Sequence, residues 1–388
     1  MTGHAIVVGG GIGGLATALA LHRIGWRATV LERAPGLGEV GAGMSQAPNA
    51  LRALAELGVE AEARAVGVPT YSTSNLRRPD GRYLQRARPG DTTPLLGLHR
   101  ADLHRVLLDA VPGDWLHTDA AVTDVRQDGD QVTVTAGGTE YQADLVVGAD
   151  GIRSAVRTRL WPDAASPRYL GRTAWLGVAD VTGVTGDLTG SVTMGKGDLF
   201  LIHPVSRGRA YWALLTSERT AGVRYDDEKR TALALAGDWH EPVPGLIRAT
   251  PDQAVIRTDI HELPPLSTYV RGRVALLGDA AHAMSPDRGQ GAGHTLEDAV
   301  VLAHALATEP TVDAALGRYD AERRPRDQAT ARGARIDGAR TASRAGQRVL
   351  AAMVRLVPAA LWRKGIAPDG NPTWRWEPPK LPVVPPAR

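Results

Sequence analysis

Short apolar runs that end at glycines predict the first strands of an α/β protein. Residues 5–8 form such a run, and a glycine-rich turn over residues 9–14 follows it. Residues 15–24 have the apolar content of a buried helix, and residues 28–31 form a second apolar run. Strand, glycine turn, helix and strand in this order predict the βαβ unit of a doubly wound sheet.

The glycines of the first turn point to a chemical use for this unit. Gly9, Gly11 and Gly14 match G-x-G-x-x-G, whose glycines permit a tight turn, the approach of a pyrophosphate and close packing of helix on strand. Glu32 stands at the end of the second strand, where a carboxylate can bind ribose hydroxyls. The unit therefore predicts a dinucleotide-binding site.

A second glycine-rich stretch, residues 272–299, combines the same features. An apolar strand over residues 274–277 is followed by Asp279, and after a glycine-rich loop the chain resumes as a helix near His294. The free N–H groups and the positive dipole end of a helix start stabilise negative charge on a ligand. Asp279 is expected to accept hydrogen bonds from sugar-like hydroxyls at the same strand end.

Alternating positions from residue 115 to 149 predict a β-meander inserted into the doubly wound sheet. The apolar strand over residues 145–147 leads to Asp150, at the edge where open α/β sheets bind ligands. Arg153 and Arg157 follow on one face of a predicted helix start. A ligand-binding role and simple pairing with nearby acids are both open for these two arginines.

Residues 41–111 contain a segment of uncertain role, a predicted hairpin and an amphipathic helix. The small residues of 41–49, including Gly43, are either a connector or a loop that lies along a cofactor. Residues 71–88 predict a hairpin that turns at residues 79–81, followed by a polar loop to residue 93. An amphipathic helix over residues 98–111 begins with Arg100, which is either a surface charge or a ligand contact.

The segment from residue 168 to 260 is rich in strands with large side chains and predicts a separate antiparallel sheet whose face closes over a cofactor held by the first domain. The strand over residues 255–260 leads back to the first sheet, so the cofactor domain is discontinuous. Helices over residues 311–332 and 343–362 and a proline-rich tail complete the chain.

Composition narrows the class of protein. The chain has 388 residues, 43% of them hydrophobic, and it has no cysteine, which excludes disulfides and thiolate metal sites. A net charge of +3, with basic residues scattered among 42 acids, argues against a nucleic-acid partner. The sequence has neither a signal peptide nor an apolar run of roughly 18 residues, so we expect a cytoplasmic protein without a membrane span. The oligomeric state is left open.

Three motifs in order carry a family resemblance: GGGIGG with Glu32, GADGIRSAVR over residues 148–157, and GDAAHAMSP with GQGAG over residues 278–293. Together they resemble the class A flavin monooxygenases of the para-hydroxybenzoate hydroxylase type. The resemblance implies bound FAD, with Arg100 near the ribityl chain, the backbone near Val122 at the adenine and the loop from Pro286 to Gly293 at the isoalloxazine ring. It also implies that the segment at Asp150 helps to bind NADH or NADPH. The cofactor-binding residues predicted in this way are Gly9, Gly11, Gly13, Gly14, Glu32, Arg33, Gly43, Arg100, Val122, Asp150, Asp279, Pro286, Gly291 and Ala292.

The resemblance also implies a fold and a reaction. The fold is α/β: a Rossmann-like FAD-binding doubly wound sheet with an inserted β-meander, a second antiparallel-sheet substrate domain, and C-terminal helices. The predicted domains are residues 1–70, 98–167 and 268–335 for FAD, residues 71–97 and 168–267 for the substrate, and residues 336–388 for a C-terminal helix and tail. The reaction is NAD(P)H-dependent and O2-dependent hydroxylation of an aromatic small molecule (phenolic, heteroaromatic or polyketide-type) through a C4a-hydroperoxyflavin, with no metal.

Alternatives to this function are a flavin epoxidase or Baeyer-Villiger-type oxygenase, a flavoprotein reductase, and a non-catalytic FAD-binding or partner-binding protein. The chain departs from the family pattern at Gly293, where an asparagine is common, and at Arg288, where a small or apolar residue is usual. Arg288 either shapes a ligand site or reaches solvent. For His282, and for Trp374 and Trp376 in the tail, we expect structural roles.

The predicted substrate face is a strand that begins at Arg209. Alternation places Arg209 and Tyr211 on one face and Trp212 and Leu214 on the other. The family often carries an Arg and a Tyr two residues apart here, so both are predicted as catalytic residues. The Tyr211 phenol is expected to hydrogen-bond the substrate's polar group, and Arg209 is expected to favour the anionic form of that group. A half-buried Tyr211 at a sheet edge is the structural alternative.

Overall fold

The computed structural model describes residues 2–38, 42–71, 75–86, 94–356 and 372–382. Its strands are β1 (His4–Val8), β2 (Arg27–Leu31), β3 (Gly43–Gln46), β4 (Val68–Tyr71), β5 (Leu76–Arg77), β6 (Tyr83–Gln85), β7 (Pro94–His99), β8 (Leu116–His117), β9 (Val122–Asp128), β10 (Gln131–Ala136), β11 (Thr139–Ala143), β12 (Leu145–Gly148), β13 (Arg168–Asp180), β14 (Ser191–Met194), β15 (Leu199–Ser206), β16 (Arg209–Ser217), β17 (Ile256–Glu262), β18 (Val270–Arg271) and β19 (Val274–Leu276). Its helices are α1 (Ile12–Arg23), α2 (Pro48–Leu57), α3 (Glu60–Val66), α4 (Arg100–Ala110), α5 (Ala155–Leu160), α6 (Glu228–Ala236), α7 (Val243–Ala249), α8 (Asp279–His282), α9 (Gly291–Thr308), α10 (Val312–Thr341) and α11 (Arg344–Leu356).

A six-stranded sheet in the order β18, β19, β12, β1, β2 and β8 forms the centre of the larger core. The four strands β19, β12, β1 and β2 are parallel, and Val8 of β1 lies opposite both Leu31 and Gly148. Because parallel strands end at the same edge of a sheet, the residues that follow these strands meet there. The predicted doubly wound sheet is confirmed, and β9, β10 and β11 form the inserted antiparallel meander.

A second, seven-stranded sheet has the order β17, β13, β16, β15, β14, β5 and β6, and its pairs are antiparallel except for β14 with β5. Trp212 of β16 is fully buried on one face, where its ring stacks on Phe200 at a centroid distance of 5.6 Å. The helices α6 and α7 cover this face, and both were missed in the sequence. Tyr211 points to the opposite face, as alternation predicts.

The segment over residues 41–49 was expected to be a loop, but it contains a strand. β3 pairs with β7, which also pairs with β4, in a small sheet between the two larger ones. Gly97 of β7 lies so close to β15 that an added Cβ would stand 2.0 Å from the carbonyl oxygen of Pro204. Pairing with the distant strand β7 thus makes residues 43–46 a strand that the local composition does not indicate.

Parts of several predictions lie outside the described residues. These parts are residue 41 of the small-residue segment, residues 72–74 and 87–88 of the hairpin, the polar loop to residue 93, and residues 357–362 of the last helix. Within the description, α10 runs unbroken through the predicted domain boundary at residues 335 and 336. No helix in the described ranges is both long enough and apolar enough to cross a membrane.

Candidate active site

A cavity of about 1310 Å³ opens where the strand ends of the first sheet face the second sheet. It is larger than the roughly 300–1,000 Å³ of an ordinary small-molecule pocket, so it has room for a dinucleotide and a further ligand. Most of the predicted site residues line it: Gly9, Gly11, Gly13, Glu32, Arg33, Gly43, Arg100, Val122, Asp150, Tyr211, Asp279, Pro286, Gly291 and Ala292.

The first glycine turn needs its glycines for two separate reasons. Gly9 has φ +110°, and a Cβ there would lie 2.5 Å from the carbonyl oxygen of Ala149. Gly14 does not line the cavity, but a Cβ on it would lie 1.8 Å from the oxygen of Gly9, so it permits the turn to pack on the helix. The N-cap residue of α1, Gly11, makes no side-chain cap. The first N–H groups of α1 are therefore free to bind an anion.

The acid that follows β2 is held in place by backbone groups. Glu32 Oε2 accepts a hydrogen bond from the N–H of Gly10 at 2.7 Å, and Oε1 accepts one from Ala34 at 2.9 Å. These bonds couple the carboxylate to the glycine turn and leave it at the cavity wall beside the exposed Arg33. The arrangement suits recognition of a ribose next to a pyrophosphate.

Asp150 stands at the end of β12 and caps α5. Its Oδ2 accepts hydrogen bonds from Ala155 at 2.7 Å and Val156 at 3.2 Å, and burial raises the pKa of this carboxyl. Arg157 is buried and donates to the carbonyl oxygens of Ile152 and Ala280 rather than to an acid. Arg157 thereby ties α5, which follows the Asp150 segment, to α8.

Asp279 and the start of α9 lie beside each other at the cavity wall. Asp279 is exposed to the cavity and has no hydrogen-bond partner in the described part of the chain. The N-cap residue of α9, Gln290, makes no side-chain cap, so the N–H groups of Gly291, Ala292 and Gly293 have no acceptor within the helix. These donors provide positive potential at one place in the cavity.

A buried ion network lies behind this wall. Arg323 donates to Asp298 at 2.7 Å, to Asp327 at 2.6 Å and to Glu297 at 2.5 Å. His282 Nε2 lies 2.7 Å from Asp298. Burial opposes protonation of His282, but the carboxylates of Asp327 and Asp298 outweigh it and raise its pKa to about 9. His282 therefore holds α8 against α9 and α10, in keeping with the structural role expected for it.

This network was not predicted from the sequence. Apart from His282 its members are Glu297, Asp298, Arg323 and Asp327, which are all charged and fall within two predicted helices. The only available signal is the spacing of Arg323 and Asp327, which places both on one helix face. His282, Asp298 and Asp327 have the spacing of metal ligands, but Arg323 binds Oδ1 of both aspartates, and His282 Nε2 lies 2.7 Å from Asp298 Oδ2. The cluster works as a salt-bridge network between helices.

The far wall, which we name the substrate end, combines the second sheet with the small sheet and the end of the described chain. Its residues are Leu201, His203 and Tyr211 from the second sheet, Met44 of β3, Ala47 directly after β3, Leu95 of β7, and Trp374. Burial raises the pKa of the Tyr211 phenol, and its hydroxyl has no hydrogen-bond partner among the described residues. Burial lowers the pKa of His203 to about 4, so this imidazole is neutral at neutral pH. His203 Nδ1 lies 3.4 Å from Thr70 Oγ1.

Arg209 lies outside the cavity, although it shares a strand face with Tyr211. Its side chain is exposed, its Nε donates to Ser206 Oγ at 2.8 Å, and its Nη2 lies 3.7 Å from Asp102 of α4. As the first residue of β16, it stands at the sheet margin, where nothing directs a long side chain inward. The structure therefore does not bring Arg209 together with Tyr211 at the cavity.

Two charged pairs border the substrate end. Arg288, whose role the sequence left open, lines the cavity and donates to Asp337 of α10 at 2.7 Å. Arg172 of β13 pairs with Asp287 at 2.7 Å, and both side chains are buried. For Trp374 a purely structural role in the tail was expected, but its ring also lines the cavity.

The residues present fit FAD. Two helix starts without side-chain caps, α1 and α9, offer N–H donors to one cavity, Glu32 and Asp279 offer acceptors for hydroxyl groups, and the glycine turn leaves space for a pyrophosphate. The donors and acceptors thus match an anionic dinucleotide with hydroxylated chains.

Comparison with known proteins agrees with this fit. A family model for an FAD binding domain matches residues 3–334. The chain is 42% identical over 325 residues to aurachin C monooxygenase/isomerase of Stigmatella aurantiaca, covering 82% of this chain and 84% of that protein. It is 35% identical over 360 residues to salicylate hydroxylase of Pseudomonas putida, covering 82% and 81%.

A solved structure extends the agreement to three dimensions. Klebsiella pneumoniae HpxO, complexed with FAD and uric acid, superposes with a TM-score of 0.83 at 30% identity, covering 94% of this chain and 95% of that one. The fold, the FAD site and the three motifs thus all indicate the same family. The chain belongs to the class A, para-hydroxybenzoate hydroxylase-type family of FAD-dependent monooxygenases.

Proposed function

We propose that this enzyme hydroxylates a neutral, largely apolar aromatic small molecule, using FAD, NAD(P)H and O2. The proposal rests on the lining of the substrate end, where apolar and aromatic side chains surround one phenol and one neutral imidazole. Such a surface suits a flat ring with a single polar substituent.

The charges around the substrate end support a neutral substrate. Arg288 borders this end and is already paired with Asp337, and Arg172 is paired with Asp287. His203 is neutral because burial lowers its pKa to about 4. An anionic substrate would have to compete with these acids for a cation, at the cost of leaving a carboxylate unpaired.

We further propose a division of labour between the two sheets. The discontinuous domain around the six-stranded sheet holds FAD, which when bound and reduced by NAD(P)H supplies the reactive oxygen from O2. The substrate domain around the seven-stranded sheet orients the aromatic ring, with the Tyr211 hydroxyl as the hydrogen-bonding group. The start of α9 stabilises negative charge at the cofactor with its free N–H groups.

The relatives support an aromatic substrate, but two of them are associated with anions. One of the compared proteins is a salicylate hydroxylase, and the HpxO structure contains uric acid. Salicylate and urate are both anions at neutral pH. The paired state of Arg288 and the low pKa of His203 favour the neutral class for this chain. The charge of the ring compound is therefore the quantity to test.

Matched probes separate the two classes. We expect the FAD-loaded enzyme to oxidise NADH or NADPH faster with 1-naphthol than with 1-hydroxy-2-naphthoate, and faster with 4-hydroxyquinoline than with its 2-carboxylate. Mass spectrometry should show a gain of one oxygen atom in the neutral ring compounds. Faster turnover of the carboxylates would reject a neutral substrate, and products that gain two hydrogens without oxygen would reject hydroxylation.

The cytoplasmic location stays a prediction. Fractionation of cells that produce the protein tests it, because a cytoplasmic enzyme should be recovered with cytosolic markers and not with membrane or extracellular fractions. Recovery in the membrane fraction after a high-salt wash would contradict it.

A further inference from the structure

The end of the described chain, residues 372–382, returns to the FAD-binding half and docks there. Arg52 of α2 donates from Nε to the carbonyl oxygen of Trp376 at 2.9 Å and from Nη2 to that of Trp374. Arg326 of α10 donates to the oxygen of Thr373 at 2.8 Å. Two arginines from different helices thus fix the backbone on both sides of Trp374.

A second anchor lies further along the segment. Lys380 Nζ lies 2.5 Å from Glu56 Oε1, and the N–H of Leu381 donates to Glu56 Oε2 at 3.2 Å. His304 of α9 contacts the carbonyl oxygen of Lys380 at 2.9 Å. Leu381 is buried in the main core. The segment is therefore attached at both ends and holds one conformation on the surface of α2 and α9.

The docked segment places the indole ring of Trp374 at the cavity. Trp374 is 8% exposed, packs against Ala47 and Leu95, and lines the cavity together with Pro372 and Thr373. Leu95 belongs to β7, which contacts β15, the strand that carries Leu201 and His203. The indole therefore completes the same wall as the side chains that surround Tyr211.

We propose that Trp374 is a substrate-positioning residue: its indole packs on the aromatic ring of the substrate, and the docked segment 372–382 keeps it there. This proposal rests on the proposed function, since it concerns the same aromatic ligand. An indole offers a large flat surface with few rotatable bonds, and an aromatic pair adds binding beyond simple burial. If Trp374 served only to pack against Ala47 and Leu95, any apolar side chain would do, and it would not need to line the cavity.

Three variants of the FAD-loaded enzyme test this role by binding and by coupling. Trp374→Leu removes the flat ring, Trp374→Phe keeps an aromatic ring, and Trp376→Leu is the matched control, since Trp376 lies in the same segment and packs on the core without lining the cavity. The dissociation constant of 1-naphthol is read from the change in flavin absorbance. The fraction of NAD(P)H diverted to hydrogen peroxide reports how well the bound ring is positioned.

We expect Trp374→Leu to raise the dissociation constant about 3- to 10-fold, the range of one aromatic pair, and to increase peroxide formation. Trp374→Phe should recover most of both losses, and Trp376→Leu should lower the melting temperature without changing either. Should Trp374→Leu fail to fold, Arg52→Gln, which loosens the segment, is expected to change binding and coupling in the same direction. Wild-type binding and coupling in Trp374→Leu, with only a lower melting temperature, would overturn the proposal.

The two proposals fail in different ways. If wild type binds 1-naphthol but adds no oxygen to it, the proposed function is wrong, and the Trp374 comparison is still decided because the titration measures binding alone. If wild type hydroxylates the probe and Trp374→Leu does so with unchanged affinity and coupling, only the role of Trp374 is wrong. Failure of wild type to bind any neutral aromatic probe would overturn both.

Discussion

Arg323 Nε donates to Asp298 Oδ1 at 2.7 Å, with both side chains fully buried between α10 and α9. The other oxygen of Asp298 accepts a hydrogen bond from the N–H of Gly278 at 2.9 Å. Gly278 directly precedes Asp279, which faces the cavity. One ion pair between helices thus fixes the strand end that presents a predicted FAD ligand.

We expect Asp298→Asn to lower the free energy of unfolding by about 1.5–3 kcal/mol, because a buried charged hydrogen bond is lost while Arg323 keeps Glu297 and Asp327 as partners. Denaturant unfolding of the FAD-loaded enzyme measures the change. The matched control is Glu322→Gln, which breaks the exposed pair with Arg318 and should cost less than about 1 kcal/mol. Similar losses in the two variants would show that burial does not govern this pair.

The raised pKa of His282 predicts how stability depends on pH. The folded protein binds the proton with a pKa of about 9, against 6.5 ordinarily, so the stabilisation is fully present below pH 6.5 and disappears as the pH rises through 9. A shift of this size corresponds to roughly 3 kcal/mol. In His282→Asn the slope of unfolding free energy between pH 6.5 and 9 should be reduced. An unchanged slope would mean that another group titrates there.

Asp279→Ala should weaken FAD binding about 10- to 150-fold, or roughly 1.5–3 kcal/mol, the usual contribution of a hydrogen bond to a charged group. Titration of the apoenzyme with FAD measures this affinity. Asp163→Ala is the control, because Asp163 is almost fully exposed and lies outside the cavity. Unchanged FAD affinity in folded Asp279→Ala would reject the role of this carboxylate.

Tyr211→Phe should keep FAD and lose about 0.5–1.5 kcal/mol of substrate binding, because the phenol hydroxyl is the only group removed. More of the NAD(P)H should also be diverted to hydrogen peroxide, since the ring is held less well. Tyr225→Phe, at an exposed tyrosine in the loop before α6, should change neither quantity. Equal affinity and coupling in wild type and Tyr211→Phe would show that the substrate lies elsewhere.

The sequence by itself determined the doubly wound sheet and the placement of Gly9, Glu32, Asp150 and Asp279 at one edge. The reason is that these features are local: an apolar strand is followed within a few residues by a turn or an acid, and parallel strands end at the same edge. The alternation along β16 is equally local, and it correctly placed Tyr211 opposite Trp212.

Only the tertiary structure decided what stands beside these residues. Period-two alternation assigns Arg209 and Tyr211 to one face. At the end of the strand, however, Arg209 contacts Asp102 outside the cavity, while Tyr211 lines the cavity. Trp374 reaches the substrate end because Arg52, more than 300 residues earlier in the chain, binds the backbone next to it. Contacts over such distances have no periodic signature, since they depend on how complete elements pack against one another.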